Sequence, residues 1–280
     1  MSSLRVLSVL ILGTCFAVTG CIADAQDPMP FDAEELEVPL EETGLGLGNG
    51  LLPAIFWNHK VQGTMRALAT GTITDAAGVM PDMPDMLALP ATHWKAIQDM
   101  VECALPATLT AKNPHTGAVY NGKAGLAAGW RLGPLDAAGR RWVTSCMIQR
   151  LNAFGVVVPT LQEGPHASMP NDPLDDLAYP FDESTATGDA FSSTMPLGGN
   201  KTPAFFAYVC SEVDQNKKCR EPETQLDWRI CDTAGSICGL HYLGPCNLAA
   251  SGCVANGVYW ACNGTTQTVR VQLQSGGVCH

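Results

Sequence analysis

Eight cysteines lie between Cys210 and Cys279, and the stretch CDTAGSICGLHYLGPCNLAASGC, from Cys231 to Cys253, carries one every seven or eight residues. Segments this short between sulfurs leave little room for a large apolar core, so the chemistry of the thiols decides what this part of the chain can fold into. Zinc sites typically present a close Cys-x₂₋₄-Cys pair, and the sequence has none. Its nearest neighbours are Cys231/Cys238 and Cys246/Cys253, and His241 between them has no second histidine at ligand spacing. The choice between thiolate and disulfide then falls to the compartment.

The first residues, MSSLRVLSVLILGTCFAVTGCIADAQ, read as an export leader. Arg5 and the terminal amine supply the positive end, and residues 6–18 form an apolar run too short for a permanent membrane helix. The tetrad Val18-Thr19-Gly20-Cys21 resembles the lipobox of bacterial lipoproteins, which implies a signal peptide over 1–20 and a diacylglycerol thioether (with palmitate-type chains) on Cys21. A second reading takes Ala23-Asp24-Ala25 as a small-x-small cleavage site and makes the protein simply secreted. Both readings export the chain. Of its 12 cysteines, Cys15 leaves with the leader and Cys21 is lipidated or removed. Cys103, Cys146, Cys210, Cys219, Cys231, Cys238, Cys246, Cys253, Cys262 and Cys279 remain, an even set that an oxidising compartment converts to disulfides. Ten cysteines allow about 945 pairings. One pair stands apart: Cys103 and Cys146, each in a predicted helix.

The net charge of −11 is unevenly spread. Residues 21–50 hold eight acids and no base, 51–162 nine bases and six acids, 163–198 seven acids and no base, and 199–280 six of each. The expected organisation follows: an acidic, Gly-rich tether over 21–50, a mixed segment with two helices over 51–162, an acidic Pro/Asp/Ser-rich loop over 163–198, and a cystine-rich β segment over 199–280. An acidic balance without a basic stripe excludes nucleic acid as a partner.

Within 51–162, THWKAIQDMVECALP places Trp94, Ile97, Val101 and Leu105 on one helical stripe, with Thr92 as N-cap and Pro106 as stop. GPLDAAGRRWVTSCMIQRLNAFG predicts a second helix, with Pro134 in its first turn, Asp136 near its positive end and Gly155 closing it. Its apolar face gathers Leu135, Trp142, Val143, Cys146, Met147 and Phe154. VVVPTL reads as a short strand, as do WRIC, CGLHYLG and GVYWAC, while TPAFFAYVC reads as a strand or as a helix start with Thr202 as cap and Pro203 in the first turn. VYWACNGTTQTVRVQL reads as a hairpin around Asn263-Gly264. The class is α+β: a small helical and mixed segment plus a disulfide-stapled, β-rich C-terminal segment.

Several residues carry candidate chemistry. Met80, Met83 and Met86 in MPDMPDM offer evenly spaced thioethers suited to Cu(I), or simply flexible packing. The acidic loop offers carboxylates, among them Asp172, Asp175 and Asp176, suited to calcium, or a solvated surface. His59 beside Trp57 and His93 beside Trp94 suggest an aromatic-walled binding pocket for a glycan or peptide, set against the ordinary burial of Trp. Asp99 and Glu102 share a helical face and read as solvated carboxylates. Gly-x-Ser-x-Gly, His-Glu-x-x-His, P-loop and Rossmann fingerprints are missing. No catalytic residue is assigned, and the enzyme reading stays behind the binding one.

VECALP followed by AGLAAGWRLGPLDAAGRRWVTSCMIQRLNAFGVVV is similar to a set of lipobox-bearing, cysteine-rich secreted lipoproteins of soil bacteria, over roughly residues 90–162 and more loosely at the cystine-rich end. The resemblance implies export, the helix pair and the Cys103–Cys146 link, and carries no activity. The expectation is a lipid-anchored cell-envelope protein that binds an envelope polymer or protein ligand. Residue 22 is Ile rather than Asp, which in the enteric sorting pattern favours the outer membrane. An envelope hydrolase and a copper- or calcium-handling protein are the alternatives.

Overall fold

One six-stranded sheet draws on both the middle and the cystine-rich segments of the chain. The computed structural model describes residues 45–46, 49–155, 157–169, 171, 175–192, 207–212, 226–231 and 240–274. The chain divides into two units, Met1–Pro39 and Leu40–His280, and every described residue lies in the second. Cys21 and the leader fall outside. The helices, in chain order, are α1 (Pro53–Phe56), α2 (His59–Ala69), α3 (Pro84–Leu87), α4 (Trp94–Ala104), α5 (Ala137–Gln149), α6 (Asp175–Ala178) and α7 (Leu226–Cys231). The strands are β1 (Leu45–Gly46), β2 (Thr110–Lys112), β3 (Val119–Asn121), β4 (Thr160–Glu163), β5 (Phe181–Gly188), β6 (Ala207–Ser211), β7 (His241–Pro245), β8 (Val254–Asn256), β9 (Tyr259–Ala261) and β10 (Val269–Leu273). The sheet runs β1-β4-β10-β5-β6-β7, antiparallel throughout except for the parallel β6/β7 edge. An α+β architecture results.

The two faces of the sheet are held by different forces. On one face Ala186, Ala207, Val209 and Val269 join a continuous apolar core with Ile97, Val101, Val143 and Met147 of α4 and α5. Cys103 and Cys146 are bonded to each other and fasten α4 to α5 inside that core. On the other face, strand register sets Glu163, Arg270, Thr185 and Cys210 directly opposite one another across four strands. Arg270 pairs there with Glu163 and with Asp182, the latter at 3.2 Å, and lies over the Tyr259 ring at 5.5 Å. Glu212 accepts from Thr185 Oγ1 and from Trp260 Nε1, and burial raises its pKa above the ordinary carboxylate value. A polar face of this kind gains little from apolar burial. Its cover, the β8–β9 hairpin and the turn before it, carries two crosslinks: Cys210–Cys246 ties the turn to β6, and Cys253–Cys262 closes the hairpin on itself. Crosslinks supply what hydrophobic packing does not.

Several sequence expectations are corrected. The acidic segment 163–198 is not a loop throughout, because it contains β5, the longest strand described. Most of its buried residues are polar, Glu183, Ser184, Thr185 and Thr187, so hydropathy does not mark the strand. WRIC belongs to α7 rather than to a strand, with Leu226, Arg229 and Ile230 buried at helical spacing. Asn263 and Gly264 do make a tight turn with φ of 51° and 70°, but its flanks separate: β9 pairs with β8, and β10 enters the main sheet. Thr92 does not cap α4; a 3₁₀ turn, Ala91–His93, leads into it instead. Pro134 precedes α5, which Asp136 starts and which ends at Gln149, so Gly155 with φ of +67° closes a later turn. Of VVVPTL, the last two residues enter β4. TPAFFAYVC and CGLHYLG do end in or contain strands, β6 and β7.

Asp99 and Glu102 are a further correction. Both are buried, and each accepts from Arg150 Nη2 at 2.6 Å. Lys95 and Lys123 reach the same two carboxylates from the rim. The i, i+3 spacing showed that the acids share a face; that α5 would bring an arginine to it was not written in α4.

Candidate functional site

The first turn of α5 forms one wall of a groove. Asp136 Oδ1 accepts from Gly139 N at 2.6 Å, satisfying one of the free amides at the helix start. Gly139 lets the preceding chain lie close: a Cβ there would meet Leu135 Cδ1 at 2.7 Å. One turn on, Trp142 faces the groove floor. The opposite wall is backbone from 125–130, where Leu126 N and Ala127 N bond to the carbonyls of Cys103 and Ala104 at the end of α4. Trp130 closes the far end and donates from Nε1 to the Leu68 and Gly71 carbonyls. The Cys103–Cys146 link therefore braces the two helices that carry the two walls.

His166 completes the groove. Its ring stands edge-on to Trp142, centroids 5.0 Å apart at 71°, and Nδ1 accepts from Ser168 N at 3.1 Å. Gly164 permits this approach, since a Cβ would lie 2.8 Å from the Thr268 carbonyl and 3.2 Å from the Trp142 ring. The groove is open to solvent along one side and has a volume of about 480 Å³, within the range of small-ligand sites. Burial lowers the His166 pKa, so the imidazole is neutral at pH 7. A depressed folded pKa means the unfolded chain takes up the proton first. The stability contributed is thus present above the unfolded value near ~6.5 and lost as pH falls through the window down to the folded one. An NMR titration of the His166 ring should show a midpoint below that value; one at or above it would contradict the assignment.

Across known protein families, curated proteins and solved structures, this chain has no match.

The residues picked from sequence are distributed as follows. Trp57 is half-buried against Phe56, ring centroids 4.6 Å apart, and His59 opens α2 on the surface. His93 ends the 3₁₀ turn beside Thr92, with Nδ1 and Oγ1 3.2 Å apart. Trp94 neighbours a different imidazole, His115 at 6.4 Å, and His115 Nε2 lies 3.1 Å from Asp82 Oδ1. Met80 and Met86 are buried in the main core and Met83 packs against it. Asp172 lies outside the described residues, and Asp175 and Asp176 open α6. Three other acids of that segment are bonded to arginines: Asp182 to Arg270, Glu183 to Arg229 and Asp189 to Arg140. Of the expected disulfide set, Cys219, Cys238 and Cys279 lie outside the described residues, and Cys231 ends α7.

The groove residues Trp130, Trp142 and His166 were not selected from sequence as a site. The available signal was a helix start, Pro134 to Asp136, with a tryptophan on either side. His166 is 24 residues from Trp142, and only β4 returning past α5 brings the rings together.

Proposed function

We propose that the protein is an exported, lipid-anchored binding module of the cell envelope, and that the groove between α5 and residues 125–130 receives its ligand, an envelope polymer. The observation carrying this reading is the groove itself: a built concavity of about 480 Å³ with aromatic and backbone walls on two crosslinked helices. The half-buried His166 imidazole and the small exposed part of Trp142 offer apolar surface to a sugar face. Binding is favoured over hydrolysis because Asp136, the carboxylate on the groove, is committed to capping α5. Export accounts for the disulfides, and the Cys21 tetrad for the anchor.

Two measurements test it. Intact mass spectrometry of the protein from its host membrane should report a lipid adduct on Cys21, and an unmodified N-terminus would remove the anchor. Leader-free chain should co-sediment with purified peptidoglycan, and Trp142→Ala should weaken this about tenfold. His166→Ala, a smaller perturbation of the fold, provides a second reading of the same wall. Failure of the native chain to co-sediment, or equal binding by both variants, would refute the groove as the ligand site.

A further inference from the structure

The cystine-rich module gathers four sulfurs into one cluster. Cys210 of β6 is bonded to Cys246, the residue after β7, and Cys253 is bonded to Cys262 across the β8–β9 hairpin. The Sγ of Cys210 lies 3.7 Å from the Sγ of Cys253 and 3.7 Å from the Sγ of Cys262. One sulfur of the first crosslink therefore touches both sulfurs of the second. Cys210, Cys246 and Cys262 are buried, whereas Cys253 is half-buried beside an exposed hairpin. Cys253 is the least buried of the four.

We propose that these four cysteines form a thiol–disulfide exchange site whose substrate is a small thiol of the glutathione class. The incoming thiolate attacks Cys253 Sγ, forming a mixed disulfide and expelling the Cys262 thiolate. Cys262 then attacks Cys210 Sγ, already in contact; the Cys210–Cys262 bond forms, the Cys210–Cys246 bond breaks, and the Cys246 thiolate takes the proton the incoming thiol lost. Each attack trades one disulfide for another, so no external oxidant is consumed. The structural consequence is specific. The Cys210–Cys246 crosslink ties edge strand β7 to β6, while Cys246 N bonds to the Ser211 carbonyl at 2.9 Å. Exchange moves the covalent tie from that edge strand to the hairpin, leaving β7 held by hydrogen bonds alone.

The test maps sulfurs in the native chain. The folded protein is incubated with glutathione, quenched in acid, alkylated and digested for peptide mass spectrometry. The expected products are glutathione on Cys253, alkyl label on Cys246 and a Cys210–Cys262 crosslinked peptide. Label on Cys262 with Cys210–Cys246 intact overturns the proposal, as does a native fold that reacts nowhere in the cluster. Cys253→Ser gives an independent reading without added thiol. Its unpaired Cys262 should share label with Cys246 through exchange, and label confined to Cys262 overturns the proposal.

Discussion

Arg229→Leu should destabilise the protein by about 3–5 kcal/mol, because it strands a fully buried carboxylate without its counter-charge. Arg229 and Glu183 are both fully buried. Nε donates to Oε1 at 2.7 Å and Nη2 to Oε2 at 2.6 Å, the bidentate arrangement that makes an arginine–carboxylate pair strongest. Nη1 caps the end of α5 by donating to the Gln149 and Leu151 carbonyls. The pair thus joins three elements that are distant in sequence: β5, α5 and α7. Glu183 turns toward α5 because the β5/β10 register shifts between Val271 and Gln272, leaving it without a partner on β10. The cost arises from the unpaired charge, so Arg229→Leu combined with Glu183→Leu should cost clearly less than the two single changes added together. Urea unfolding of the three variants measures this, and a single-variant loss under about 1 kcal/mol would show that the pair is dispensable.

Cys103→Ala with Cys146→Ala should cost about 4 kcal/mol, the loop-entropy value for a crosslink spanning 43 residues. The closed loop contains β2, β3 and the 125–130 wall of the groove, docked on α4 through backbone bonds from Lys123, Ala124, Leu126 and Ala127. Removing the link frees that loop in the unfolded chain, and both sulfurs lie fully inside the core, so the alanines also leave unfilled volume. The measurement is denaturant unfolding of the double variant under non-reducing conditions, beside the native chain. A midpoint equal to the native one would mean that packing between α4 and α5 suffices without the bond.

Legibility from sequence followed the kind of force involved. Helices α4 and α5 could be read because their apolar residues recur with the helical period and Asp136 marks the start of α5. Strand β5 could not, because FDESTATG alternates no apolar residues; it is buried through polar partners that other elements bring to it. α7 is hidden for a related reason. Trp228 and Ile230 suggest a strand by composition, yet the spacing of Leu226, Arg229 and Ile230 fits one buried face of a helix. The groove is not legible in the sequence, since Trp142 and His166 meet through tertiary approach alone. The histidine–tryptophan neighbours that sequence did single out place Trp94 beside His115 instead of His93.

Local periodicity in the chain determined that α4 and α5 exist, with Asp136 marking the start of α5, and the isolation of Cys103 and Cys146 from the other thiols pointed to their bond. The helices are short-range, strongly patterned properties, expressed by residues within a few turns of one another. The bond, by contrast, joins residues 43 apart and was legible only because the other thiols lie elsewhere in the chain. Tertiary structure decided which polar groups would be buried together: Asp99 and Glu102 with Arg150, Glu183 with Arg229, Cys210 against the Cys253–Cys262 bond. A buried charge or sulfur is tolerable only where its partner arrives, and partners separated by dozens of residues are fixed by how strands and helices pack.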